Sequence, residues 1–163
     1  MNTTCIVVAD GGRARFFGVE PVESPRANMR LVERAVLDNP DLRARKKSAT
    51  GREHTETHTN RDAGPVHPVG AQREHHRLEL ERRFGHEIAL KAAEIANRWD
   101  AGTVVLIADP RLLGLMREYM RDALKPAIEL KELAKDFTKL TPEELHDHLA
   151  RNSIVPARRR TAV

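Results

Sequence analysis

The chain opens on a short run in which every residue but the first is apolar, Thr4-Cys5-Ile6-Val7-Val8-Ala9. Rich in β-branched residues, it predicts a central strand covered on both faces. Asp10-Gly11-Gly12 follows as a tight turn, because glycine accepts the backbone angles a hairpin needs and aspartate holds the turn amides. From Arg13 to Val19 the pattern alternates, with Ala14, Phe16 and Gly18 on one side and Arg13, Arg15, Phe17 and Val19 on the other. This is a second strand, antiparallel to the first. The Pro21 to Pro25 stretch breaks it, and Met29 to Leu37 resumes a strand pattern in which Leu31, Ala35 and Leu37 are expected to face together. Between Asp38 and Glu74 neither apolar period is present.

Helical spacing begins after that gap. Leu80, Phe84, Ile88, Ala92, Ile95 and Trp99 recur every three or four residues and predict one helix of about six turns. Gly102 releases the chain into a second wholly apolar strand that ends at Ala108. Asp109 then caps a helix with Pro110 in its first position, and Leu112, Leu115, Met116, Tyr119 and Ala123 are its expected buried face. Pro126 ends that helix, and Ile128 with Leu130 begins a short fifth strand toward Lys131. Thr141-Pro142-Glu143-Glu144 is a capping box opening a last helix anchored by Leu145 and Leu149. Beyond Ile154 the chain reads as a frayed tail.

Three strands followed by helix, strand, helix, strand and helix imply an α/β fold with a mixed five-stranded sheet: three antiparallel strands, then right-handed crossovers. This is also the element order of the ribonuclease H type of fold. The organisation expected is a single α/β domain over 1–155, a long basic and histidine-rich loop at about 38–74, and a basic flexible tail over 156–163.

Composition narrows the classes. The chain has 163 residues, 40% of them hydrophobic, enough for one buried core. No stretch has the length of a membrane span and no signal region opens the chain, so a cytoplasmic protein without a membrane partner is expected. Cys5 is the single cysteine and lies in an apolar run, which predicts a buried thiol and no internal disulfide. The net charge of +4 is modest, yet Arg43, Arg45, Lys46 and Lys47 and the Arg158-Arg159-Arg160 tail concentrate it.

Several residues carry candidate chemistry. Asp10 and Asp109 each end an apolar strand, and neighbouring carboxylates there would suit a divalent-metal nuclease, with Glu81 or Glu87 available on the long helix. Against this, Asp10 reads equally as a turn residue and Asp109 as a cap. His54 and His58 flank Glu56, and His67, His75 and His76 follow; imidazoles at this spacing suit zinc only on a helix, which the surrounding threonines disfavour. No nucleophile elbow and no dinucleotide fingerprint is present, and no cofactor is expected. Four Phe, one Tyr and one Trp are few for base stacking, so any RNA contact is expected through phosphate.

Two segments carry a family resemblance. Val7-Val8-Ala9-Asp10-Gly11-Gly12-Arg13-Ala14-Arg15-Phe16-Phe17 and Val105-Leu106-Ile107-Ala108-Asp109-Pro110-Arg111-Leu112-Leu113-Gly114-Leu115-Met116-Arg117 resemble the bacterial host attachment protein family. Glu132 to Leu140 followed by Thr141-Pro142-Glu143-Glu144-Leu145 resembles its closing strand, polar turn and helix. That family is similar in fold to the middle domain of archaeal and eukaryotic peptide chain release factors, where a Gly-Gly-Gln loop precedes a long helix. Gly70-Ala71-Gln72 lies at the matching boundary, with alanine in place of the middle glycine. The resemblance implies Gly70 and Ala71 as loop-shaping residues and Gln72 as a catalytic amide that positions water in peptidyl-tRNA hydrolysis. Arg73 and Arg77, with Arg43, Arg45, Lys46 and Lys47, would contact RNA phosphates. The leading expectation is association with the ribosome or structured RNA; release-like hydrolysis, a protein-interaction module and a metal nuclease stand as alternatives. A homodimer is expected, through a sheet edge or through Phe17 or Tyr119.

Overall fold

The computed structural model describes residues 3–22, 28–40 and 67–158. Five strands, β1 (Thr4–Ala9), β2 (Arg13–Val22), β3 (Asn28–Asp38), β4 (Gly102–Ala108) and β5 (Ile128–Ala134), form one sheet in the order β3-β2-β1-β4-β5. β2 runs antiparallel to both β1 and β3, whereas β4 runs parallel to β1 and β5 parallel to β4. The helices are α1 (His67–Ala96), α2 (Pro110–Ala123) and α3 (Pro142–Arg151). The mixed sheet and the strand–helix alternation therefore agree with the pattern of the chain.

Both faces of the sheet are covered, which is why β1 and β4 are apolar without alternation. Cys5, Val7 and Ala9 of β1, Ala14 and Phe16 of β2, and Val104, Leu106 and Ala108 of β4 face α1 and α2. Ile6, Val8, Phe17, Val19, Val105 and Ile107 face α3 and the segments that flank it, through Phe137, Leu145, Leu149 and Val155. Burial pushes the Cys5 thiol up to about 12, so it is an inert part of the core. Where α1 crosses α2, a side chain on Gly85 would approach Met116 Cγ to 3.1 Å. The absence of one lets the two helices close on each other.

Four elements differ from the pattern reading. β3 carries a bulge opposite Phe16 and Phe17, where Arg34 has no partner in the register. An inserted residue reverses side-chain parity, so Leu31 faces the α3 side while Ala35 and Leu37 face α1. The three residues do not share a face. β2 continues through Pro21 to Val22; Pro21 pairs with Met29 near the end of the ladder, where a missing N–H costs little. In α2 the fully buried residues are Leu112, Leu113, Met116 and Met120, with Tyr119 and Ala123 partly buried. The last described residues are packed: Val155 is buried, Pro156 carbonyl lies 2.7 Å from His146 Nε2, and Arg158 forks onto Asp147 at 3.0 and 2.8 Å. That hydrogen bond raises the Arg158 pKa further.

The remaining element bears on function. α1 begins at His67, ahead of Glu74. Gly70, Ala71 and Gln72 lie within its first turns. The helix runs 30 residues, and its N-terminal half extends past the point where the apolar stripe begins at Leu80. A polar stretch cannot announce itself by apolar period, and helix propagation from the packed half costs little per added residue.

Candidate functional site

The chemistry-bearing residues of the described chain gather where the parallel strands end. Asp10 and Asp109 each lie one residue beyond β1 and β4, which are parallel neighbours with Val8 level with Ile107. In open α/β sheets the carboxyl ends of parallel strands, at the point where the strand order reverses, are where ligands bind. Here the chain leaves β1 toward β2 on one side and β4 toward β5 on the other, so the reversal falls between these two aspartates.

Each aspartate is engaged locally. Asp10 Oδ1 accepts the N–H of Gly12 and of Arg13, both at 2.8 Å, and holds the hairpin turn. Asp109 accepts the Leu112 N–H at 3.0 Å as the cap of α2, ahead of Pro110. Asp10 is thus a turn residue and Asp109 a helix cap. Asp109→Ala is expected to lower stability by about 1 kcal/mol, read as a shift in the urea midpoint without a change of slope. Among the described residues no group of three or more His, Cys, Asp or Glu could hold a metal ion.

Behind the two strand ends, α1 contributes an acid that is hidden from solvent. Glu81 is 1% exposed, beside the buried Leu80 and Phe84. Its Oε1 accepts from Arg111 Nη2 at 2.7 Å and lies 3.5 Å from Arg77 Nε, one turn earlier on the same helix. Its Oε2 has no hydrogen-bond partner among the described residues. Arg77 and Arg111 are about half exposed, at 54% and 55% of their side chains. Asn39, at the end of β3, joins the cluster from below: its amide donates to Gly11 O at 3.3 Å and Leu80 O at 3.5 Å, and its own N–H to Gly12 O at 2.9 Å. The glycine turn, the end of β3 and the middle of α1 are thus one hydrogen-bonded unit.

The predicted residues divide. Arg77 is at this site, and Gln72, Arg73, His75 and His76 are exposed along the preceding turns of α1. Asp10 and Asp109 frame the strand ends. Arg43, Arg45, Lys46, Lys47, His54 and His58 lie outside the described residues. Phe17 is buried, with the Arg15 guanidinium 4.9 Å above its ring, and contributes no exposed surface. Tyr119 is partly buried and packs 5.3 Å from His86.

Arg111 and Asn39 were not singled out by pattern, and Glu81 stood only as a spare acid. A signal for Glu81 was present: with Phe84 and Ile88 it keeps the i, i+3, i+7 spacing of the buried face, so it is a charge on a core stripe. Arg111 gave none, since its position at the start of α2 matters only once α1 lies alongside.

Residues 5–149 match the model of a family described as "Protein required for attachment to host cells". The match runs from β1 into α3 and includes the strand ends, Glu81, Arg77 and Arg111. No curated protein matches the chain.

Proposed function

Because this chain belongs to the family described as required for attachment to host cells, we propose that its molecular activity is RNA binding, with the ribosome as the partner. One observation carries this reading. Arg73 and Arg77 are exposed one turn apart at the start of α1, with His75 and His76 exposed between them. Residues four apart stand one above the other on a helix, so the two guanidiniums make a short cationic stripe at phosphate spacing. In sequence the stripe follows the segment bearing Arg43, Arg45, Lys46 and Lys47, which extends the same charge. Few aromatic side chains are available, so recognition runs through the backbone of a structured RNA and depends on salt.

The same proposal makes the protein cytoplasmic. Among the described residues no helix is long and apolar enough to cross a membrane. It also assigns the outer edges of β3 and β5, the two ends of the sheet, to pairing with a second copy. The element order of the ribonuclease H type, and the resemblance to the release-factor middle domain, are the fold relations that accompany it.

Co-sedimentation with ribosomal subunits over a salt series tests the reading. Binding should be strongest at low salt, decline steadily as salt rises, and weaken when Arg43, Arg45, Lys46 and Lys47 are replaced together by glutamine. Absence of co-sedimentation at the lowest salt would refute it. A second reading, release-like hydrolysis by Gln72, is favoured by the exposure of that amide beside Arg73. It requires Gln72→Ala to abolish peptidyl-tRNA cleavage and spare binding.

A further inference from the structure

Burying a carboxylate is costly unless it is paired, and an apolar residue of similar volume usually serves a core at least as well. Glu81 stands at a position where Leu80 and Phe84 on the same helix are buried and apolar, yet it is a carboxyl side chain whose Oε2 has no hydrogen-bond partner among the described residues. Fold stability gives no reason for that choice. What the carboxylate does accomplish is geometric: it draws two guanidiniums from different helices, Arg77 of α1 and Arg111 of α2, onto one oxygen.

Each guanidinium has five donors in a planar fork. Glu81 engages one edge of each, and both side chains remain about half exposed. Two cations against one carboxylate leave an excess of positive charge with forked donors facing solvent. The two strand-end acids are engaged with backbone amides, Asp109 Oδ1 with that of Leu112 and Asp10 Oδ1 with those of Gly12 and Arg13. The N-terminus of the 14-residue α2, at which Arg111 stands, adds its dipole with the same sign.

We propose that Arg77 and Arg111 form a two-armed clamp for a phosphodiester of bound RNA, with buried Glu81 as the positioning residue that holds both arms at one spot. The clamp rests on the RNA reading above and deepens it: a defined phosphate site at the ends of β1 and β4, distinct from the basic segment that precedes α1. Arg111 becomes a binding residue, and Arg77 acts through this site as well as through the stripe.

The test uses the full chain and two probes, a fluorescent synthetic RNA hairpin and purified ribosomal subunits, across a potassium chloride series. Arg77→Gln and Arg111→Gln together should weaken hairpin binding about tenfold and lower the slope of log affinity against log salt by about 1 per arginine. Arg111→Lys should keep the slope and weaken binding about threefold, because a point charge replaces a fork. A purely structural ion pair would change the melting temperature and leave the slope alone. If Arg111→Gln does not fold, Arg77→Gln and Arg111→Lys decide the matter by the same two readouts. Folded variants that bind like the wild type overturn the clamp and leave the RNA reading standing. A wild-type chain that binds neither probe at low salt overturns the RNA reading and the clamp with it. Variant-sensitive binding to subunits that survives ribonuclease digestion makes the partner a protein and also overturns the clamp.

Discussion

Phe16→Ala is expected to lower the unfolding free energy by about 3–5 kcal/mol, the range for removing a fully buried aromatic side chain from a packed core. Phe16 is 0% exposed and sits in β2, level with Val7 of β1 and Ala35 of β3, facing α1. Its ring therefore joins the sheet to the helix that carries Glu81 and Arg77. The buried cluster it belongs to takes side chains from β1, β2, β4, α1 and α2, and such a site collapses poorly around a cavity. Against a typical total of about 5–15 kcal/mol the loss removes a large share of the stability. Urea denaturation followed by circular dichroism measures it, and a loss under about 1 kcal/mol would show that the two layers are not held together at this point.

Gly102→Ala is expected to cost about 2–3 kcal/mol, near the upper end of what overpacking costs. A Cβ there would stand 2.5 Å from Thr3 O, 2.7 Å from Trp99 Cε3 and 3.0 Å from Thr3 Oγ1. The first contact is with backbone that has little freedom to yield, because Thr3 O accepts the Thr103 N–H at 2.9 Å at the start of the β1–β4 pairing. Trp99 is restrained too, since its carbonyl accepts Lys125 Nζ at 2.7 Å. Relief must separate β1 from β4 at one end of the parallel pair. Thermal unfolding of Gly102→Ala beside Gly114→Ala makes the comparison internal: a Cβ at Gly114 meets nothing within 4 Å, so that exchange on an exposed helix position should be neutral or slightly stabilising. Equal effects at the two glycines would contradict the close approach.

Local signals of residue type and spacing were sufficient for much of this chain. The unbroken apolar runs at β1 and β4 announced strands buried on both faces, Asp10-Gly11-Gly12 announced its turn, and Asp109 and Thr141 cap their helices as their neighbours required. These are short-range effects, decided by backbone sterics and by hydrogen bonds spanning three residues or fewer. The start of α1 was not legible, because the sequence from His67 to Glu79 carries no apolar period and the helix gains its packing only from Leu80 onward. The bulge at Arg34 was equally silent. It exists in relation to β2, and one inserted residue was enough to reverse the faces of Ala35 and Leu37.

The candidate site divides along the same line. The strand-end aspartates and the arginines of α1 could be picked out one by one from residue type and position. That Asp10 and Asp109 are neighbours depends on β1 pairing parallel to β4 across roughly a hundred residues of chain. That Glu81 binds Arg111 depends on α1 and α2 closing over Gly85. The amino-acid order by itself determined the order and type of the strands and helices and which residues carry charge. Tertiary packing alone decided which of those charges meet, because a contact between residues 30 positions apart is specified by the burial of everything around it.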